Sequence, residues 1–289
     1  MKFAHASAME WLGGEEQHRG GGLAVKHLLA GEEGSLDNYR LVLGRDSGGH
    51  ESPRHRHNFD QVRMVLQGTL SLAPGKDLHE GQVGYFPEGT PYGPQKDPLG
   101  ERIALVLQCG GASGSGYIST RQMKEATRAL AAEGEFKGGI YYRRDGTGRK
   151  QQDAYEAVWE RCNGKKLDYP AQRYAEPFLM TPSNFAWVPD TTAPGAERKL
   201  LGVFTERATR IEMIRLRPDA AVTLAAGDGR ILLFALSGGG TCGTERWSQH
   251  SAAELAPGDT ARLAADETAE FLVIVLPRIA AARPRLQVT

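Results

Sequence analysis

Two histidines one residue apart, His55 and His57, sit in the stretch richest in potential chemistry. It runs Gly49-His50-Glu51-Ser52-Pro53-Arg54-His55-Arg56-His57-Asn58-Phe59-Asp60-Gln61 and continues to Gly68, a spacing of G-x5-H-x-H-x3-Q-x6-G. Side chains alternate along a strand, so H-x-H on a strand puts both imidazoles on one face. Two imidazoles so placed can grip one metal ion, and imidazole suits zinc, iron, copper or nickel. A second stretch begins thirteen residues after Gly68: Gly81-Gln82-Val83-Gly84-Tyr85-Phe86-Pro87-Glu88-Gly89-Thr90-Pro91-Tyr92, or G-x5-P-x-G-x2-Y. Gln61 offers a carboxamide oxygen and Tyr92 a phenol oxygen, so two histidines and two oxygen donors could close a site. Arg54 and Arg56 then point outward, into solvent or a neighbouring element.

These residues need strands to hold them, and the surrounding pattern supplies them. Tyr39 to Leu43, Val62 to Leu66, Thr69 to Leu72, Gln82 to Phe86 and Ile103 to Leu107 are β-branched, aromatic or leucine-rich, with turn signals between them. Short strands at such spacing imply a sandwich or barrel. A small-residue linker, Gly110 to Gly116, leads into a helical pattern at Met123, Ala126, Thr127 and Leu130. A second helix is expected near Asp153, which can cap its first turn, with Tyr155, Val158, Trp159 and Cys162 as its buried stripe. Lys165 to Lys199 holds five prolines and reads as an extended wrap over the barrels. The β pattern returns in Ile211 to Leu216, Ile231 to Ala235, Ala253 to Leu255, Thr260 to Leu263 and Phe271 to Leu276. The whole is expected to be mainly β: an N-terminal barrel over 1–110, a mixed helical and extended connector over 111–200, and a related barrel over 201–289.

The two motifs resemble those of the cupin superfamily, whose usual forms are G-x5-H-x-H-x3,4-E-x6-G and G-x5-P-x-G-x2-H-x3-N. Gly49, His55, His57, Gly68, Gly81, Pro87 and Gly89 match at the family's spacing. The resemblance implies small antiparallel jelly-roll barrels with a divalent metal ion (Fe, Mn, Ni or Zn) in the mouth of the first, held by His55, His57, Gln61 and Tyr92. It covers the second β unit more weakly, so the chain looks like a bicupin. Three positions depart from the family: Gln61 stands for Glu, Tyr92 for the third His and Lys96 for Asn. Without the carboxylate, the site favours an anionic substrate or bound hydroxide, or pushes Tyr92 towards phenolate, and holds metal less tightly. In the second unit the ligand positions fall on Ala225, Gly227, Ile231 and Ala269, none of which binds metal.

Arg63 lies two residues beyond Gln61 and should look into the barrel, where a buried charge needs a partner. That partner is either a substrate carboxylate or an internal Asp or Glu. Tyr92 is a ligand, a proton donor to bound oxygen, or a rim aromatic packed by Pro91 and Pro94. Gln108 is a candidate cavity residue, and Phe59, Tyr85 and Phe86 read as barrel packing of which one or two, Tyr85 among them, shape an apolar wall against substrate. His50 and His79 are expected at the surface. Catalytic roles fall to Tyr92 and Arg63, and substrate binding to Arg63, Tyr85 and Gln108.

Lys+Arg and Asp+Glu number 35 each, which leaves no broad basic field for nucleic acid or acidic membranes. No apolar run is long enough to span a bilayer, and Met1 to Ser7 lacks the apolar stretch of a secretory signal. The three cysteines are widely spaced, so a disulfide framework is not expected and a cytoplasmic setting is. The expected function is a metal-dependent enzyme acting on a small, anionic organic molecule, with dioxygenase chemistry foremost by analogy with gentisate-type relatives. The alternatives are a small-molecule-binding or sensor bicupin without turnover, and a purely structural, storage-type pair of barrels. A small-molecule substrate and a homodimer through barrel edges are the expected partners.

Overall fold

The computed structural model describes residues 1–13, 23–144 and 149–279. It is mainly β, with two jelly-roll units built from antiparallel sheets. The first unit has a seven-stranded sheet in the order Phe178–Met180, Val83–Phe86, Phe59–Gln67, Leu99–Gly110, Tyr39–Gly48, Ala24–Ala30, Leu12–Gly13. Two short pairs enclose a cavity with it: Glu51–Ser52 with Gln95–Lys96, and Thr69–Ala73 with Lys76–His79. The second unit pairs a seven-stranded sheet with a four-stranded one, Ala221–Ala225, Thr260–Ala265, Gly239–Cys242, Glu245–Ser248. No helix among the described residues is long and apolar enough to cross a membrane.

Strand alternation sorts the two faces of each large sheet. Leu41, Leu43, Val62, Met64, Leu105 and Leu107 turn away from the first cavity. They pack against Leu201, Phe204, Ile211, Met213, Leu232, Phe234, Leu272 and Ile274 of the second sheet. The two sheets thus share one apolar layer between the units. The interior of the second barrel is filled by Ile214, Leu216, Leu233, Trp247, Leu255, Leu263 and Phe271. Ile231 and Ala269, two of its ligand-equivalent positions, lie in that packing.

The chain ties its halves by exchanging edges. Lys2–His5 pairs with Ser251–Leu255, so the first strand joins the sheet of the C-terminal half. Phe178–Met180, from the connector, adds to Val83–Phe86 of the first unit. The connector also holds two helices. Thr120–Glu133 starts at a capping box, in which Ser119 Oγ accepts from Gln122 N at 3.1 Å and Gln122 Oε1 from Ser119 N at 2.9 Å. Ala154–Asn163 is capped by Asp153, whose carboxylate accepts from Glu156 N at 3.0 Å, and ends at Gly164 in the left-handed conformation. Between them lies a three-stranded sheet, Gly134–Lys137, Ile140–Arg143, Gln151–Asp153, which the sequence pattern does not announce.

The outward layer holds buried polar groups as well. Asp60 accepts from Tyr85 Oη at 2.8 Å and from Glu88 N at 2.9 Å. The Glu88 carboxylate accepts from Ser113 N and Oγ and from Arg173, and Arg173 also reaches Glu206 in the turn between Ala196–Phe204 and Thr209–Leu216 of the second sheet. Burial pushes the Asp60 carboxyl up to about 7, against the pull of its two hydrogen bonds.

Gly89 shows how tightly the motif loop is held. Its φ is +74°, its N–H donates to His57 O at 2.8 Å, and a Cβ there would stand 2.4 Å from Pro170 O. A Gly89→Ala chain is expected to lose roughly 1–3 kcal/mol in chemical denaturation. Unchanged stability would contradict this close approach.

Candidate functional site

Three strands of the first sheet send alternate residues into the barrel. Phe59, Gln61 and Arg63 come from one, following His57 just before it. Gln108, Val106, Ala104 and Arg102 come from the second, and Arg40, Val42, Gly44 and Asp46 from the third. They line a cavity of about 230 Å³. Register makes Arg40, Gln108 and Gln61 one row across the sheet, and Val42, Val106 and Arg63 the next. The connector covers the mouth: Tyr117, Met123 and Tyr155 line the same cavity and pack with Phe59.

The two histidines precede the strand rather than lie on it. His55 forms an isolated bridge with Tyr92, N to O at 3.0 Å and back at 2.9 Å, and the strand starts only at Phe59. Their rings still lie close, with centroids 5.0 Å apart. His57 is buried, stacks on Phe59 and lines the cavity, whereas His55 lines a smaller neighbouring recess. His55 Nδ1 lies 2.7 Å from Pro53 O, an acceptor, so the ring proton sits on Nδ1 and Nε2 keeps its lone pair. Arg56, between them, stacks on Tyr169 of the connector.

At the centre is the phenol oxygen of Tyr92. Gln61 Nε2 donates to it at 3.1 Å and Arg63 Nη2 at 2.9 Å, and His57 Nε2 lies 3.1 Å away. Two donors fill the oxygen's two lone pairs, so its own proton is left for His57 Nε2. Gln61 Oε1 accepts from Arg63 Nη2 at 2.9 Å and from Gln108 Nε2 at 3.4 Å, and Gln108 Oε1 accepts from Tyr117 Oη at 2.7 Å. Arg63 stacks over Phe86, 4.6 Å from its centroid. Among the described residues it has no ion-pair partner, and its buried Nε has no hydrogen bond. The internal ion pair, one of the two alternatives for this side chain, is not formed among the described residues.

Of the residues singled out from the sequence, His57, Gln61, Arg63, Tyr92 and Gln108 meet in one network, with His55 beside it. Tyr85 does not. As a substrate wall it is corrected: it pairs with Val62 in register, so it turns to the outer face, where it bonds Asp60 and stacks on Phe204. Arg40, Tyr117, Met123 and Tyr155 are cavity residues that the sequence pattern does not place there.

The four donors expected for a divalent ion do not fit one as arranged. Protein N–H groups already fill both lone pairs of Gln61 Oε1 and both of Tyr92 Oη, and His57 Nε2 takes the Tyr92 proton, which leaves the Nε2 lone pair of His55. Asp46 and Asp97, also in the cavity wall, are taken up by Arg102. Among the described residues no cluster of three or more His, Cys, Asp and Glu could hold a metal.

No protein-family model and no curated protein sequence matches the chain. Solved structures do. A "putative dioxygenase" from Nostoc punctiforme has a TM-score of 0.59 at 12% identity, covering 97% of this chain and 84% of that one. A single-residue variant of Bacillus subtilis oxalate decarboxylase has a TM-score of 0.56 at 12% identity, covering 97% and 78%. A further structure of that decarboxylase, described for its Mn(II) centres, has a TM-score of 0.55 at 13% identity, covering 97% and 78%. At such identities the likeness shows the fold alone, and the fold is that of the cupins.

Proposed function

We propose that this chain is a cupin-type bicupin enzyme whose N-terminal cavity takes a small organic anion, with Arg63 orienting it and the His57–Tyr92 pair moving protons. One observation carries the reading: a guanidinium on the cavity wall without a carboxylate partner among the described residues. A cavity guanidinium without a counter-ion calls for an anion from outside the chain. His57 Nε2 accepts the Tyr92 proton, so the pair can pass a proton to or from a substrate that displaces Gln61 or Arg63 from the phenol oxygen. Gln61 and Gln108 hold the phenol and the guanidinium in place, and Phe59, Tyr117 and Tyr155 exclude water at the mouth. At about 230 Å³ the cavity is smaller than the ~300–1,000 Å³ of drug-sized pockets, which favours a small molecule. A cytoplasmic homodimer belongs to the same reading.

Metal-dependent dioxygenase chemistry is the second reading. It is favoured by the Pro53 carbonyl beside His55 Nδ1, the kind of support that metal-binding imidazoles carry. Because the oxygen donors do not fit an ion, no step is drawn through one. A bicupin that binds without turnover is the remaining alternative.

Ligand-observed NMR with benzoate, 4-hydroxybenzoate and 3-methylbutanoate, each beside its neutral amide, tests the preferred reading. The acids are expected to bind and the amides not, and filling the cavity with Val106→Trp is expected to abolish binding. Equal binding of acids and amides, or none of either, would overturn it. Mass spectrometry of the bound acids after incubation then separates enzyme from binder.

A further inference from the structure

We propose that the Arg63 guanidinium takes the electrostatic place of a divalent ion, so that an organic monocarboxylate binds Arg63 directly with no metal between them. This rests on the reading of the N-terminal cavity as the working site.

The first support is the saturation of the oxygen donors. A metal held by Gln61 Oε1 and Tyr92 Oη would displace hydrogen bonds from Arg63, Gln108 and Gln61, two of them charge-assisted. The second is charge. With Gln61 where a carboxylate would stand, and Asp46 and Asp97 engaged by Arg102, no anionic side chain in the cavity wall is left to offset a dication. Arg63, bonded to two of the would-be ligands, adds a positive charge at that point. The third is the posture of Arg63. Two bonds through Nη2 and stacking on Phe86 hold it still, while Nε stays buried without a hydrogen bond. A carboxylate oxygen on Nη1, the guanidinium nitrogen that is neither closed off like Nε nor bonded like Nη2 among the described residues, neutralises the charge in one contact. Val42, Val106, Phe59 and Met123 in the wall suit an apolar body behind the carboxylate, as in an aryl or short branched acid.

The test measures metal and acid together on the full chain purified without added metal. Elemental analysis is expected to find metal far below one per chain. Calorimetry with MnCl₂ and ZnSO₄ is expected to show no tight site, and benzoate affinity is expected to be indifferent to EDTA or added Mn²⁺. The Gln61→Glu/Arg63→Gln double variant restores a carboxylate and removes the cation, and should gain on the order of 100-fold in Mn²⁺ affinity. Should it fail to fold, Arg63→Gln alone carries the comparison with a smaller gain.

Stoichiometric metal in the parent that vanishes in His55→Ala/His57→Ala overturns the proposal while leaving the cavity as the working site. Benzoate binding that needs Mn²⁺ does the same, as does a folded variant as blind to metal as the parent. Failure of every acid to bind, with or without metal, instead sinks the reading of the cavity and this proposal with it.

Discussion

Arg63→Ala is expected to weaken the binding of small carboxylates on the order of 100-fold, equivalent to about 2.7 kcal/mol, because it removes the charge-assisted donor on which they rest. Calorimetry with the tightest acid of the panel reads the change. Arg63→Lys should recover only part of it. Lysine keeps the charge and has three donors, but they radiate from one nitrogen, so none stands a guanidinium's width away from the bonds to Gln61 Oε1 and Tyr92 Oη to meet the carboxylate. Stability separates this effect from a structural one. Removing Arg63 leaves Gln61 Oε1 with Gln108 and Tyr92 Oη with Gln61, so no acceptor loses every partner. The cost to folding is therefore about 1 kcal/mol. A variant that binds acids like the parent would show that the guanidinium is part of the barrel's internal bonding and nothing more.

The second large effect belongs to Asp60. Its carboxyl is raised to about 7 in the folded chain, chiefly by burial, with Glu88 adding to the rise. In the unfolded chain it ionises near its ordinary value of 3.8. Between these limits the folded state binds more protons than the unfolded, so stability attributable to Asp60 falls as pH rises from about 4 to 7 and then levels off. Asp60→Asn should remove that fall. Its Oδ1 can still accept from Glu88 N, and its Nδ2 can donate to the Tyr85 oxygen, which reverses the second bond but keeps the contact. Chemical denaturation from pH 4 to 8 should show the parent losing a few kcal/mol relative to the variant, since each pH unit between the two limits contributes about 1.4 kcal/mol. The other groups facing this carboxyl, Tyr85 and Cys109, are pushed above their ordinary ranges and ionise outside the window. Parallel curves for the two chains would contradict the protonated state of Asp60.

Much of the site is legible in the sequence because glycine spacing and period-two alternation are local properties. The framing glycines locate the turns, and the step of two from Gln61 to Arg63 puts both on the cavity face. The same step, applied one strand further, accounts for residues the pattern leaves out. Tyr39 to Leu43 reads as an apolar core strand, yet it runs on to Gly48, and Arg40, Val42, Gly44 and Asp46 share the inward face. Tyr85 illustrates the converse: its aromatic character suggests a cavity wall, but its register with Val62 assigns it to the layer between the units. No local pattern could place Tyr117, Met123 and Tyr155 at the mouth. Helical spacing marks Met123 and Tyr155 as buried without saying against what, and only the docking of the connector on Phe59 decides it. Nor does the composition of Lys2–His5 reveal that this strand pairs with Ser251–Leu255, because edge addition rests on backbone groups common to all residues.

The most direct measurement is the side-chain resonance of Arg63 Nε–H, assigned by its loss in Arg63→Lys and followed during titration with benzoate. Binding through the guanidinium is expected to shift it strongly and leave the other arginine Nε–H signals in place, with EDTA present throughout. Saturation with benzoate that leaves this resonance where it was, or that moves it only once Mn²⁺ is supplied, would contradict the account.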